Sequence, residues 1–78
     1  MFLSSPLTPR QAEFLRILHS WNSWKENKNK PMPRSLMRKY IGLGVDNIAL
    51  QLSLKGYIEI RKEKDGRVYY VLRQRNLE

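Results

Sequence analysis

Apolar residues recur along this chain first at helical and then at alternating spacing, and the change of period divides it. Phe14, Leu15, Leu18 and Trp21 repeat every three or four residues, with Ile17 and Trp24 at the edges of the stripe. That is the period of a helix burying one face. Thr8-Pro9-Arg10-Gln11 supplies its start: Thr8 can cap free amides, Pro9 suits the first helical position, and Gln11 stands where a capping-box partner stands. The helix is predicted to run to about Lys25. From Asn22 to Pro33 the period is lost in a polar loop, Glu26-Asn-Lys-Asn-Lys-Pro-Met-Pro33, whose prolines turn the preceding residues away from helix. Pro33 is placed to open a second helix, with Ser35 as a competing cap and Leu36, Met37, Tyr40 and Ile41 as the apolar face. Gly42-Leu-Gly44 ends it. Asp46 is read as the N-cap of a third helix, Asn47 to about Lys55, which Gly56 stops.

Beyond Gly56 the period becomes two. Tyr57-Ile-Glu-Ile60 and Arg67-Val-Tyr-Tyr-Val-Leu72 are strands on either side of a charged turn. With Lys64-Asp65-Gly66 as a three-residue loop, Gly66 takes the left-handed position and Glu63 faces Arg67. Ile58, Ile60, Val68, Tyr70 and Leu72 then share one face. A two-residue Asp65-Gly66 turn would pair Lys62 with Tyr69 and scatter the apolar residues over both faces, so the longer loop is preferred. A short strand around Pro31–Pro33 can pair with this hairpin as a third strand. The expected class is α+β: a winged helix-turn-helix of three helices followed by a two-stranded β wing.

Composition narrows the setting. With 78 residues there is room for one small domain, with an ordered core of about 7–72. There is no cysteine, which removes disulfides and zinc-thiolate sites and suits a reducing compartment. No apolar run approaches a membrane span, and Met1-Phe-Leu-Ser-Ser-Pro lacks the basic region of a signal peptide. A soluble, cytoplasmic protein is expected. The net charge of +8 attracts polyanions. Anionic membranes and acidic proteins share that attraction, so charge alone does not choose among them.

The opening Leu7-Thr8-Pro9-Arg10-Gln11, then Pro31-Met-Pro33 before the second helix, then Lys55-Gly-Tyr-Ile-Glu-Ile60 after the third, resemble the DNA-binding domain of LexA-type repressors. MarR-like and other winged-helix regulators share much of this pattern. The resemblance spans roughly residues 7–72. It implies sequence-specific binding of double-stranded DNA, usually by a transcriptional regulator or repressor and often as a homodimer. Two departures stand out. The segment from Gly42 to Lys55 is about one helical turn shorter than in LexA-type domains, and the chain stops after the wing, without a self-cleaving peptidase domain.

On this reading the third helix is the recognition helix. Ile48, Ala49 and Leu52 face the core, while Asn47, Gln51 and Lys55 form a polar stripe. Asn47 and Gln51 are the candidate base readers, because both amides can bond an adenine edge bidentately in the major groove. The plainer alternative is a solvated polar face. Leu50 and Leu54 sit beside the stripe and either pack under the wing, touch thymine methyls or mark a protein interface. The cations lie elsewhere. Lys28, Lys30, Arg34, Arg38 and Lys39 crowd a stretch whose one acid is Glu26, and are candidate phosphate contacts together with Lys55 and, at the wing tip, Lys64 and Arg67. Solvated charge is the competing explanation. Arg73 and Arg75 are candidates for an arm contact, and Tyr69, outward on the wing, for a phosphate or a partner. Trp24 is read as core edge or dimer contact.

Enzymatic chemistry finds no support. His19 is the lone histidine, the acids show no convergent pair or metal spacing, and Gly42-Leu-Gly44 is too short to cradle a phosphate. No cofactor is expected. The rival to DNA binding is a protein-interaction module on the same scaffold, favoured by Leu50, Leu54 and a third helix poor in basic residues. RNA binding is a third reading, but beyond the wing tyrosines the sheet offers no stacking set.

Overall fold

The structure, a computed structural model, describes residues 7–28 and 30–73. Three helices, α1 (Pro9–Ser23), α2 (Arg34–Ile41) and α3 (Val45–Leu54), combine with strands β1 (Met32–Pro33), β2 (Ile58–Lys62) and β3 (Val68–Leu72). The sheet is antiparallel in the order β1-β3-β2. This is an α+β winged-helix arrangement, with the helices against one face of a small sheet.

The start of α1 is set locally. The Thr8 hydroxyl accepts from the Gln11 amide at 3.1 Å, and the Gln11 side-chain oxygen accepts from the Thr8 amide at 3.2 Å. This reciprocal capping box satisfies two otherwise free donors. The helix ends at Ser23, before the expected Lys25. Trp24 turns extended, and a short 3-10 turn, Lys25–Asn27, follows. The loop is then held down from α1: Trp21 Nε1 donates to the Lys30 carbonyl at 3.1 Å and Asn22 Nδ2 to that of Asn27 at 2.8 Å.

Two boundaries differ from the sequence reading. Pro33 does not open α2 from inside; it is the last residue of β1, and the helix begins at Arg34. Its φ of −64° suits either state, but its ψ of 141° is extended because β1 pairs with β3, Pro33 opposite Tyr69. On a sheet edge its missing N–H costs nothing. Asp46 is not the N-cap of α3. Gly44, at φ 92°, holds that place and its carbonyl accepts from the Ile48 amide at 3.0 Å, which moves Asp46 into the first helical turn. The end of α3 is closed as expected: Tyr57 N–H reaches the Leu52 carbonyl and Gly56 N–H that of Ser53, each at 3.0 Å. This is the Schellman closure.

The hairpin takes the longer loop. Ile60 stands opposite Tyr70 and Lys62 opposite Val68, and the Glu63 amide donates to the Arg67 carbonyl at 2.8 Å. Ile58 and Tyr70 are buried on the inner face; Ile60, expected there too and paired with Tyr70 at the middle of β2, is only partly covered, at 36% exposure. The core joins Phe14 and Leu18 of α1, Met37 and Ile41 of α2, Val45, Ala49 and Leu52 of α3, and Met32, Ile58 and Tyr70 of the sheet. Ile48 only partly enters it, and Val45 takes a place the sequence reading did not assign. Tyr40, expected on the apolar face of α2, points to solvent. Phe14 and Tyr70 meet edge-on with ring centroids 5.1 Å apart, a favoured aromatic geometry.

The turn between α2 and α3 depends on Gly42, whose φ of 86° and ψ of −152° belong to a region essentially closed to side chains. A methyl there would meet nothing within 4 Å, so backbone strain alone sets the cost. Gly42→Ala is expected to destabilise the fold by about 1–3 kcal/mol, read as a lowered urea midpoint at unchanged slope.

The Tyr70 hydroxyl is buried without a hydrogen-bond partner among the described residues. Burial, with the charge of Asp46 adding to it, raises its pKa from 10.0 to about 12; Arg34 acts weakly the other way. The folded state therefore holds this proton more tightly than the unfolded chain. Stability from it is intact below pH 10 and falls as the pH climbs from 10 toward 12. Tyr70→Phe removes an unsatisfied buried group, whose penalty is of order 1–3 kcal/mol. It should leave neutral-pH stability unchanged or raised and flatten the alkaline decline. A variant clearly less stable at pH 7, with the decline intact, is the contrary result.

Candidate nucleic-acid interface

Helix α2, the Gly42–Gly44 turn and α3 form a helix-turn-helix, and the wing stands beside it. On α3, Val45, Ala49 and Leu52 are buried, whereas Asp46, Asn47, Leu50, Gln51 and Leu54 are open to solvent. Asn47 and Gln51 thus lie together on the exposed face, their amides open to solvent. Lys55 leaves that stripe. Its Nζ donates to Gln11 Oε1 at 3.0 Å, so the ammonium is turned toward α1 and is partly buried.

Leu50 and Leu54 do not pack under the wing. They are 49% and 74% exposed and share the outer face with the two amides. Leu43, on the turn, is also exposed. The face offered by α3 is amide and aliphatic, and its one charge is the Asp46 carboxylate.

The cations surround this face without belonging to it. Arg34 opens α2, and its Nε and Nη2 donate to Asp46 Oδ1 and Oδ2 at 2.6 and 2.8 Å. This two-pronged pair joins the first turn of α2 to the first turn of α3. The hydrogen bond from Arg34 holds the Asp46 carboxyl below its ordinary pKa, the charges of Arg34 and Arg38 assist, and desolvation opposes them. Arg38 and Lys39 are exposed further along α2. At the wing tip, Lys64 is exposed and Arg67 lies near Asp65, Nε to Oδ2 at 3.3 Å. Arg61 and Glu59 approach at 3.8 Å on the outer side of β2.

Arg34 and Arg67, far apart in sequence, come together. A cleft of about 200 Å³ between the start of α2 and the wing tip is lined by Arg34, Ser35, Gly66, Arg67 and Tyr69. Tyr69, expected to point outward, is half-buried in this wall. Lys28 and Lys30 are exposed on the loop held against α1, and so belong to neither α2, α3 nor the wing. Arg73 is exposed just beyond β3; Arg75 lies outside the described residues.

Sequence reasoning missed one structural cation. Arg10 Nη2 donates to the Ile41 carbonyl at 2.9 Å and reaches that of Leu43 at 3.4 Å, tying α1 to the open end of α2. No local pattern marks it, since its acceptors lie more than thirty residues away.

No protein-family model, curated protein or solved structure matches this chain. No described helix is long and apolar enough to cross a membrane, and among the described residues no group of histidine, cysteine or acidic side chains is arranged to hold a metal ion.

The Arg34–Asp46 pair is solvent-exposed, and such pairs add little to stability. Its acid has a depressed pKa in the fold, so its contribution is present above the ordinary aspartate pKa and is lost as pH falls through the lower folded pKa. Asp46→Asn is expected to cost less than ~1 kcal/mol at neutral pH and to remove this part of the acid limb, as read by urea unfolding between pH 2 and 7.

Proposed function

We propose that this chain binds double-stranded DNA in a sequence-specific manner through its winged helix-turn-helix, as a small transcriptional regulator. The reading agrees with the resemblance to LexA-type and MarR-like DNA-binding domains. The observation that carries it is the placement of Asn47 and Gln51 on the exposed face of α3, whose first turn is bonded through Asp46 to Arg34, one of the two arginines lining the cleft between α2 and the wing. In this arrangement α3 enters the major groove and its amides bond base edges, while Arg34, Arg38, Lys39, Lys64 and Arg67 meet phosphates alongside. Lys28 and Lys30 add general positive potential. Lys55 contributes less than its sequence position suggests, because Gln11 holds it. A homodimer on an inverted repeat is the assembly that the resemblance implies.

The Arg34–Asp46 pair shapes this binding. A phosphate approaching Arg34 competes with a carboxylate already bonded through both oxygens. Part of the guanidinium's attraction is therefore spent inside the protein until DNA displaces it.

A second reading, a protein-interaction module, is favoured by the solvent-facing Leu50 and Leu54. These leucines can cover thymine methyls, but they equally suit an apolar partner surface.

Selection from a random-duplex pool at two salt concentrations tests the proposal. A recovered motif supports it, and an inverted repeat with half-sites about one helical turn apart supports the dimer. If about five phosphates are neutralised, log affinity should fall with log salt at a slope of about −4 to −5. Arg34→Ala should weaken all duplexes alike, whereas Gln51→Ala should cost about 1–3 kcal/mol at one base pair only. Uniform loss in both variants removes Gln51 from base reading. No retention at low salt makes the protein-interaction reading the better one.

A further inference from the structure

Away from α3, the end of α1, the 3-10 turn, β1 and α2 enclose a groove of about 560 Å³. Its apolar lining comes from Ile17, Met32 and Leu36, all packed in or against the core. Three aromatic rings line it as well: Trp21, Trp24 and Tyr40. Trp21 is held by its bond to the Lys30 carbonyl. Trp24 and Tyr40 are 63% and 61% exposed. Trp24 stands here because α1 stops at Ser23 and the chain turns extended.

The lining differs from the surface around it: Lys25 and Lys28 stand exposed on the same turn as Glu26 but do not line the groove. The chain carries +8, yet the one charged residue among those lining the groove is Glu26. Glu26 forms no ion pair among the described residues. Indole and phenol faces attract cations through their quadrupoles, tryptophan most strongly. A carboxylate at the same site adds to that attraction and repels anions. The volume lies within the roughly 300–1,000 Å³ of small-molecule sites.

We propose that this groove binds an organic cation, a substituted ammonium carried on an apolar ring. The ring lies against Ile17, Met32 and Leu36, and the charge sits among Trp24, Tyr40 and Glu26. A second copy of the chain is the poorer occupant, since it brings a further +8 toward a single carboxylate. The inference stands apart from the DNA reading and does not require it.

Both tryptophans of the chain line this groove, so intrinsic fluorescence reports on it. The experiment titrates the full chain with benzyltrimethylammonium, N,N-dimethylbenzamide and benzoate, with calorimetry as a readout independent of the indoles. Saturable binding of the cation is expected, with the amide weaker and benzoate weakest. Trp24→Ala should weaken the cation about fivefold. Glu26→Gln should weaken it about threefold and leave the amide unchanged. Both positions are exposed, and unchanged circular dichroism and thermal midpoint will show that the variants fold. Equal affinity for cation and amide, an unaltered affinity in Glu26→Gln, or no saturable response to the cation overturns the proposal. So does a dimer by sedimentation whose dissociation exposes the tryptophans, because a second copy then fills the groove.

Discussion

The edge-on contact between Phe14 and Tyr70 joins the helices to the sheet, and the rest of the molecule is arranged around it. Tyr70 is on the central strand, opposite Met32 of β1 on one side and Ile60 of β2 on the other. Its ring is fully buried beside Phe14, Leu18 and Met37 in the shared core. A domain this small has little apolar area to bury, so one large side chain used by every layer carries a large share of the stability. The cost is a hydroxyl out of water without a hydrogen bond among the described residues. It lies close enough to Arg34 and Asp46 for both to influence its ionisation, which places the core beneath the pair that joins α2 to α3.

The charge distribution follows from how the cations are used. Arg10 caps carbonyls at the end of α2, Lys55 is bonded to the capping residue of α1, and Arg34 is paired with Asp46. These cations tie helices together. The exposed face of α3 is left with amides, leucines and the Asp46 carboxylate, while exposed positive charge stands on α1, α2, the loop and the wing. Such a division suits a surface in which flanking charges supply attraction and a nearly neutral helix supplies discrimination. The exposed leucines on α3 are where the DNA-binding and protein-interaction readings part.

The groove under Trp24 is a different surface with different chemistry. Its rings and single carboxylate lie on the side of the molecule formed by the end of α1 and the loop, whereas the cleft of Arg34 and Arg67 lies between α2 and the wing. The two share α2 and β1, so an aromatic groove with one acid and a cleft with two arginines stand on one short chain.

Much of the architecture was legible in the residues because its causes are local. The Thr8–Gln11 capping box, the Gly56 stop and the Lys64-Asp65-Gly66 loop act over a few positions, and the loop fixes the register of every cross-strand pair after it. The exposure of Asn47 and Gln51 follows from the helical period of α3 in the same way. Where competing local signals met, the sequence misjudged the outcome: Pro33 and Asp46 each suit a helix start, and strand pairing and the left-handed Gly44 displaced them. The separations explain the rest. Arg34 meets Asp46 twelve residues away, Arg10 meets Ile41 thirty-one away, and Lys55 meets Gln11 forty-four away. Periodicity assigns a side chain to a face, but only the packing of one element on another decides what that face meets. The sequence by itself determined the elements, their order and the wing register; the tertiary structure decided which cations remain free, which leucines stay in water, and that two tryptophans and a tyrosine share a groove with a single acid.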